Sequence, residues 1–280
     1  MTIVRRMAGI IPVEVYITGR RSDALFRGLD FLFKRTVHGD IIVTPQGPLV
    51  LDAAHQPERL LSYAFKNVLR GYKHSDLGRF ISSTDGKGAT FIDVGANLGM
   101  YTLIAREHGY RTVAVEPDPM HSAFLKRNEA TFGKVLSVAF SDEPGQLPLY
   151  YDPGNPGATS LFPGSSYVKG DRPVPVETFS AAASRGDFGE PRDIGLVKID
   201  VEGFEAKAVR GMTEFLVDGP RPAIWCEVRG DLSGRNGGSF RDVCEILFPF
   251  GYSAFDVGNT PTQAQESWGN RGVFDLLFRT

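Results

Sequence analysis

The stretch FIDVGANLGMYTL, from Phe91 to Leu103, decides the fold of this 280-residue chain. A short apolar run passes into small residues, among them Gly95 and Gly99, and then becomes apolar again at helical spacing. This pattern predicts a buried strand, a glycine turn and a helix. A carboxylate, Asp93, stands just before the turn, so the ligand of this turn has to suit a nearby negative charge.

From Ala89 onward the chain repeats this alternation of strand and helix. Strands are predicted at Thr90–Val94, Thr112–Val115, Val135–Phe140, Leu196–Val201 and Ala223–Val228. Helices are predicted at Asp118–Phe132, Phe204–Leu216 and Ser239–Phe250. Such alternation predicts an α/β fold with a parallel sheet covered on both faces. The last two strand patterns, GYSAFDV and RGVFDLLFRT, lack a helix between them and predict an antiparallel edge pair.

Two regions do not follow the alternation. We predict that residues 1–80 form an N-terminal cap in front of a core domain of residues 81–280. Within this cap, helices are predicted at Ser22–Lys34 and from Pro57, and a hairpin is predicted at Ile41–Leu51. The segment from Asp142 to Phe179 is rich in Gly, Pro and Ser, which predicts a lid or substrate loop or a disordered surface insertion. We expect its part from Gly154 to Gly170 to be mobile without ligand and to close over a bound substrate.

The composition narrows the class of partner and the compartment. Lys and Arg number 31 against 33 Asp and Glu, for a net charge of −2 and no long basic block, which argues against nucleic acid as the partner. The only two cysteines, Cys226 and Cys244, fall in predicted core elements, as expected in a reducing, cytoplasmic setting. No apolar run is long enough to predict a membrane span, and the N-terminus makes a poor signal peptide.

The glycine turn selects between two nucleotide-like ligands. Glu116 ends the next predicted strand about 20 residues after the turn, where a carboxylate suits the hydroxyls of a ribose. The turn reads G-x-N-x-G and lacks the G-x-G-x-x-G of a dinucleotide site. Asp93 would repel a pyrophosphate but attract the ammonium and sulfonium of S-adenosylmethionine. Ser141 and Asp142, after the third strand, could accept a hydrogen bond from an adenine. The sequence therefore favours S-adenosylmethionine.

Four segments, FIDVGANLGMYTL, VAVEPDP, the Ser-Asp pair after the third strand and LVKIDVEGFEAKAVRGM, occur in the order seen in FkbM-type methyltransferases. The chain resembles this S-adenosylmethionine-dependent family from about Ile81 to its end. The resemblance implies the class I Rossmann-like fold, a mostly parallel seven-stranded sheet with an antiparallel edge strand, and methyl transfer to hydroxyls of sugars, polysaccharides or polyketide products. The predicted cofactor residues are Asp93, Gly95, Ala96, Asn97, Gly99, Glu116, Pro117, Ser141, Asp142 and Asp200.

The segment KIDVEGFE, Lys198 to Glu205, is where we expect the chemistry. Charged residues on an otherwise apolar strand are costly unless they are paired or functional. Lys198 suits a structural ion pair, whereas Asp200 and Glu202 at the strand exit are the first candidates to orient an acceptor hydroxyl and take its proton. Glu227, which ends the fifth strand, is the next candidate. Asp200 and Glu227 could instead hold Mg²⁺.

Three other functions stay open at this point. An NAD-dependent oxidoreductase is disfavoured by Asp93 and the missing third glycine. A nucleic-acid methyltransferase is disfavoured by the charge balance and by Asp200-Val-Glu202-Gly203, which stands where an Asn-Pro-Pro-Tyr-like motif is usual. A non-catalytic S-adenosylmethionine-binding module would leave the charged strand exit without a task. The expected partner is a small-molecule or glycan acceptor, with homo-oligomerisation through the N-terminal extension as a further expectation.

Overall fold

The computed structural model describes residues 3–4, 40–44, 47–51, 72, 75–152, 155–162, 168–229, 240–257, 261–262 and 273–280. The predicted helices at Ser22–Lys34 and from Pro57 lie outside these residues. Within them, the predicted hairpin is confirmed, because β2 (Asp40–Thr44) and β3 (Gly47–Leu51) pair antiparallel and β1 (Ile3–Val4) pairs with β2. No helix among the described residues combines the length and apolarity that crossing a membrane requires.

Among the described residues, the main sheet has eight strands, and its centre is parallel. The strands are β4 (Thr90–Val94), β5 (Arg111–Val115), β6 (Lys134–Leu136), β11 (Ile194–Ile199), β12 (Ala223–Arg229), β13 (Ser253–Phe255), β14 (Pro261–Thr262) and β15 (Val273–Arg279). Their order is β14-β13-β15-β12-β11-β4-β5-β6, with β12 through β6 parallel and β15, β13 and β14 antiparallel. The mostly parallel sheet with an antiparallel edge is thus confirmed, and the two-residue β14 brings the predicted seven strands to eight.

Strand order reverses between β4 and β11. The chain runs outward from β4 to β5 and β6, returns to β11 beside β4, and then runs outward the other way to β12. In doubly wound sheets a crevice opens at such a reversal, beyond the carboxyl ends of the strands. The segments after β4 and β11 therefore meet at this point.

Helices cover both faces of the sheet. They are α1 (Asp76–Ser83), α2 (Met100–Glu107), α3 (Pro119–Arg127), α4 (Glu129–Phe132), α5 (Phe179–Ser184), α6 (Glu205–Arg210), α7 (Thr213–Asp218) and α8 (Phe240–Leu247), with short 3₁₀ turns at Pro191–Asp193 and Phe248–Phe250. Asp118 caps α3, since its side chain accepts from the N–H groups of Met120 and His121. The predicted helix Asp118–Phe132 is divided at Asn128, whose φ of −107° leaves the helical range.

Alternate residues of each strand enter two separate cores. Ile92, Val197 and Ile224 belong to the larger cluster on one face. Phe91 and Leu196 belong to a smaller cluster on the other face, together with Leu77, Ile81, Ile104, Ala105, Trp225 and Leu277. Leu77 and Ile81 lie on α1, so the predicted boundary at residue 80 falls inside a helix that packs against the sheet.

The segment after β6 forms a second sheet, which the sequence did not predict. Here β7 (Ala139–Phe140), β8 (Gly145–Asp152), β9 (Asn155–Ser160) and β10 (Val168–Glu177) pair in the order β7-β10-β8-β9. The predicted single strand Val135–Phe140 is therefore wrong, because its halves belong to different sheets. The alternative of a disordered surface insertion is also wrong for the described residues: alternation of buried Val174 and Val176 with exposed neighbours gives β10 one buried face.

Candidate functional site

A cavity of about 190 Å³ lies at the reversal point of the main sheet. It is lined by Tyr72, Val94, Gly95, Ala96, Asn97, Leu98, Met100, Tyr101, Val115, Glu116, Pro117, Val138, Ala139, Phe140, Leu149, Thr159, Leu161, Lys198, Asp200, Val201, Glu202, Phe204 and Glu227. We call the part formed by residues 95–98, Glu116 and Pro117 the turn end. The part formed by Asp200, Glu202 and Glu227 is the acidic end.

The turn end is built from backbone held in left-handed conformations. Gly95 has φ +75° and its N–H donates to the carbonyl of Val115 at 3.0 Å. A Cβ at Gly95 would lie 1.9 Å from the carbonyl oxygen of Asp200, so only glycine fits where the two strand exits touch. Gly99 differs, because a Cβ there would lie 2.4 Å from the Phe132 ring. Gly99 thus serves the packing of α2 and is not among the residues that line the cavity, whereas Ala96 and Asn97 are.

Glu116 brings a buried carboxyl group to the turn end. It follows β5 and is only 3% exposed. Its two oxygens accept from the backbone N–H groups of Asn97 at 2.7 Å and Asp118 at 2.8 Å, which fixes the carboxyl group against the glycine turn. Burial raises the pKa of Glu116 to about 7 despite these two donors. The predicted neighbour Pro117 also lines the cavity.

Asp93 lies beneath the turn. It is fully buried, accepts from the Thr102 hydroxyl at 2.6 Å, and forms an ion pair with Lys198 at 3.1 Å. Because Lys198 already balances the charge of Asp93, this carboxylate no longer favours S-adenosylmethionine over a dinucleotide. Asp93 is also absent from the cavity lining.

Ser141 and Asp142 lie just beyond β7 and outside the cavity lining. Asp142 accepts from the Ser141 hydroxyl at 2.9 Å and pairs with Lys207 at 3.2 Å and Arg210 at 3.7 Å. Although partial burial would raise the pKa of Asp142, the Ser141 hydroxyl and Lys207 lower it overall. The nearby cavity wall is apolar instead. It consists of Val138, Ala139, Phe140 and Leu149, which the sequence analysis did not identify.

The acidic end gathers the three predicted catalytic residues. Asp200 and Glu202 follow β11, Glu227 lies near the end of β12, and one carboxylate oxygen from each lies within 4.8 Å of the others. Burial raises the pKa of Glu227 to about 9, and the neighbouring charges of Asp200 and Glu202 act in the same direction. At neutral pH Glu227 therefore holds a proton and can donate a hydrogen bond within the cluster.

A buried carboxyl group supports the loop that carries Asp200 and Glu202. Glu205 begins α6, as a first-turn acid should, but its side chain also accepts from the N–H groups of Val201 at 3.2 Å and Gly203 at 3.0 Å. Burial raises the pKa of Glu205 to about 7. Glu202 adopts a left-handed φ of +54°, and the Ser160 hydroxyl donates to its carbonyl oxygen at 2.8 Å. The loop is thus held from two sides.

Other residues of this end are distant in sequence and were missed or undervalued. Tyr72 and Tyr101 form an edge-to-face pair with ring centroids 5.3 Å apart, and both line the cavity. Asp275 on β15 lies opposite Glu227, and burial raises its pKa to about 6 even though Trp225 opposes the shift. Only the pairing of β12 with β15 brings Asp275 here, so no local pattern in the sequence marks it.

The three carboxyl groups are close enough together to reach one cation. The charge partner that the structure supplies is Lys198, whose ammonium lies 3.4 Å from Asp200 and would repel a divalent ion at that oxygen. The donor set therefore fits proton sharing better than a Mg²⁺ site.

Comparison with known proteins identifies a family. Residues 93–254 match the methyltransferase FkbM domain. Methyltransferase sdnD of Sordaria araneosa is 29% identical over 156 residues, covering 44% of this chain and 60% of that protein. Methyltransferase 1 of Beauveria bassiana (strain ARSEF 2860) is 24% identical over 166 residues, covering 51% and 66%. The chain thus matches less than two thirds of the length of these relatives.

Solved structures that are similar to this chain include a TehB-like SAM-dependent methyltransferase from Corynebacterium glutamicum. It is 16% identical, covers 80% of this chain and 100% of its own, and superposes with a TM-score of 0.44. A likeness at this level adds nothing to the family match.

Proposed function

This chain belongs to the methyltransferase FkbM domain family, and on that premise we propose that it is an S-adenosylmethionine-dependent O-methyltransferase. The acceptor we propose is a hydroxyl group of a sugar, a glycan or a secondary metabolite. One observation carries the proposal: a single cavity joins a glycine turn with a buried Glu116 to a cluster of three carboxyl groups at the exits of β11 and β12.

The charge of the cavity supports this cofactor over a dinucleotide. Among the described lining residues, four carry carboxyl groups and one, Lys198, is basic, so the remaining carboxyl groups outnumber the one cation even with Glu227 protonated. Such a surface repels a pyrophosphate and attracts a sulfonium and an ammonium. We assign Glu116 to the ribose hydroxyls, which can donate to its remaining lone pairs, and the apolar wall of Val138 and Phe140 to the adenine.

Bound S-adenosylmethionine would supply a methyl group on a positively charged sulfur. The acidic end would orient the acceptor hydroxyl and take its proton as the oxygen gains the methyl group. We assign proton acceptance to Asp200, with Glu202 as its neighbour and with Glu227 as a protonated hydrogen-bond donor to the pair. This assignment follows from the raised pKa of Glu227 and from the central place of Asp200 between Lys198 and Glu227.

The acidic end and the tyrosine rings beside it also limit which acceptors can bind. Acidic groups and the rings of Tyr72 and Tyr101 suit an uncharged, hydroxyl-bearing molecule, whereas a carboxylate or phosphate would meet like charge. Our expectation of a cytoplasmic setting is supported by Cys226 and Cys244, which are free and buried. Homo-oligomerisation through the N-terminal extension stays a proposal, since most of that extension lies outside the described residues.

Thermal melts with S-adenosylhomocysteine, S-adenosylmethionine and NADH test the cofactor. A ligand at a hundredfold excess over its Kd stabilises the native state by about 2.7 kcal/mol, and we expect this from the first two ligands alone. Stabilisation by NADH without stabilisation by S-adenosylhomocysteine would favour the oxidoreductase and end the proposal.

A mass-gain screen tests the reaction itself. Matched pairs of neutral glycosides and their uronic acids are incubated with the protein and S-adenosylmethionine, with and without a chelator. We expect a gain of one methyl group on a neutral member and no effect of the chelator. Loss of turnover with the chelator that Mg²⁺ restores would move Asp200 and Glu227 from proton acceptance to metal binding. Cofactor binding without transfer to any acceptor in a broad screen would favour the non-catalytic module.

A further inference from the structure

Lys198 has more contacts than a structural ion pair needs. It is the last residue but one of β11 and is 3% exposed. Its ammonium donates to the carbonyl oxygen of Gly95 at 2.6 Å and lies 3.1 Å from Asp93 and 3.4 Å from Asp200. The ammonium also lies 5.7 Å from the centroid of the Tyr101 ring. The contact with Gly95 is a hydrogen bond and the contacts with the two carboxylates are ion pairs, so one ammonium reaches oxygens of three different segments.

Each of the three oxygens belongs to a different part of the site. Asp93 lies in β4 beneath the turn, Gly95 lies in the turn end, and Asp200 belongs to the acidic end. Burial alone would lower the pKa of Lys198, but the charges of Asp93 and Asp200 raise it well above its ordinary value. The ammonium therefore stays charged, and a point charge between the two ends can hold both at once.

The two ends already touch through their backbones. The N–H of Asp200 donates to the carbonyl of Val94 at 3.1 Å, and the Gly95 backbone packs against the Asp200 carbonyl. A shift in either segment would therefore shift the other. Pairing Lys198 with Asp93 alone would not require its contacts with Gly95 and Asp200.

We propose that Lys198 is a positioning residue that fixes the glycine turn and the Asp200 side chain relative to each other. This inference rests on the proposed function, since it assigns the cofactor to the turn and proton acceptance to Asp200. Its consequence is that removal of the ammonium weakens both cofactor binding and turnover, even where the buried charge of Asp93 is removed at the same time.

The double variant Asp93→Asn/Lys198→Met separates this role from a structural one. If Lys198 only neutralises Asp93, the double variant leaves no unpaired charge in the buried core, and it keeps the wild-type kcat. If Lys198 positions the two ends, the folded double variant loses roughly 10–100-fold in kcat, because one misplaced reacting group costs that much. We also expect its Kd for S-adenosylhomocysteine, measured by calorimetry, to rise about tenfold, the loss of one charge-assisted hydrogen bond. The acceptor KM should change little.

Thr102→Val is the matched control. It removes the other partner of Asp93 and leaves Gly95 and Asp200 untouched, so we expect lower stability with kcat within about threefold of wild type, an effect smaller than that of one buried hydrogen bond. If Thr102→Val lowers kcat as far as the double variant, the effect runs through Asp93 and the inference is wrong. Should the double variant not fold, Asp93→Asn/Lys198→Gln replaces it under the same criterion. A wild-type protein that binds no S-adenosylhomocysteine would overturn the proposed function instead, and calorimetry on that protein alone distinguishes the two failures.

Discussion

The turn end and the acidic end of the cavity are built by opposite means. At the turn end, backbone N–H groups hold a carboxyl group: Glu116 accepts from Asn97 and Asp118. At the acidic end, carboxyl groups from two strand exits face one another, and burial together with the charges of Asp200 and Glu202 raises the pKa of Glu227. A site made of backbone needs special residues at fixed spacing, whereas a site made of side chains needs only the right strand order. We therefore expect mutations at the two ends to separate cofactor affinity from turnover.

Asp200→Asn should have the largest effect. The substitution keeps the shape of the side chain and removes its ability to take the acceptor proton, so kcat should fall by roughly 10²–10⁴-fold. The Kd for S-adenosylhomocysteine should stay within a factor of about three, because the turn end is intact. Single-turnover rates and calorimetry measure the two quantities, with the exposed Asp171→Asn as the control. An Asp200→Asn variant that turns over at the wild-type rate would remove proton acceptance from the acidic end.

Glu116→Gln should show the reverse pattern. An amide can accept from only one of the two N–H groups and offers fewer lone pairs to a ribose, so the Kd for S-adenosylhomocysteine should rise by roughly 10–100-fold. At saturating cofactor, kcat should return to within about threefold of wild type. The exposed Glu190→Gln serves as the control. If Glu116→Gln lowers kcat at saturation as strongly as Asp200→Asn does, the two ends are one functional unit and the comparison fails.

The pH dependence of stability tests whether the buried Glu205, which supports the loop of the acidic end, lowers the stability of the folded protein at neutral pH. Its pKa is about 7 in the folded protein, above the ordinary value of 4.5, so the folded state binds this proton more tightly than the unfolded state does. The free energy of unfolding should therefore fall as pH rises from about 4.5 to about 7. Glu205→Gln removes this term and should make the fall shallower by about 1–3 kcal/mol.

Urea unfolding of the ligand-free protein at about pH 5 and about pH 8 measures this difference, with Glu190→Gln again as the control. The contribution of Asp142, whose pKa is lowered, is lost only in more acidic solution and does not overlap this window. If the free energy of unfolding falls equally with pH in wild type and in Glu205→Gln, burying Glu205 beneath the loop after β11 costs no stability.

Much of the fold and of the turn end could be predicted because the physical causes are local. The short apolar run of β4, the glycine turn with its left-handed residues and the Asp118 cap are each encoded within a few positions. The location of Asp200, Glu202 and Glu227 near the strand exits followed from the parallel topology. The ion pair that neutralises Asp93 could not be predicted, because its partner Lys198 comes from a strand about 100 residues later.

The second sheet marks the clearest limit of the sequence analysis. The composition of its strands is that of a loop, with Pro148, Pro173 and Pro175 inside β8 and β10. These prolines nevertheless lie in paired strands. Pro173 lies opposite Pro148, and the register between β8 and β10 shifts between Lys169 and Pro173. Pairing with distant strands outweighs a weak local preference for strand. The expected closure of the segment from Gly154 to Gly170 over the acceptor stays a prediction.

Ser160→Ala should have the smallest effect and tests which end of the cavity the second sheet serves. The Ser160 hydroxyl is buried, donates to the Glu202 carbonyl at 2.8 Å and accepts from the Phe162 N–H at 2.9 Å. Losing one such hydrogen bond costs about 0.5–1.5 kcal/mol, so the acceptor KM should rise roughly two- to tenfold while kcat changes less. The Kd for S-adenosylhomocysteine should not move, and the exposed Ser184→Ala should match wild type in both. Because Glu202 is held in a left-handed conformation by the segment around it, a rise in acceptor KM alone would tie the second sheet to the acidic end. An equal rise in the Kd for S-adenosylhomocysteine would instead mean that the second sheet supports both ends of the cavity. Only residues of the main sheet would then separate cofactor affinity from turnover.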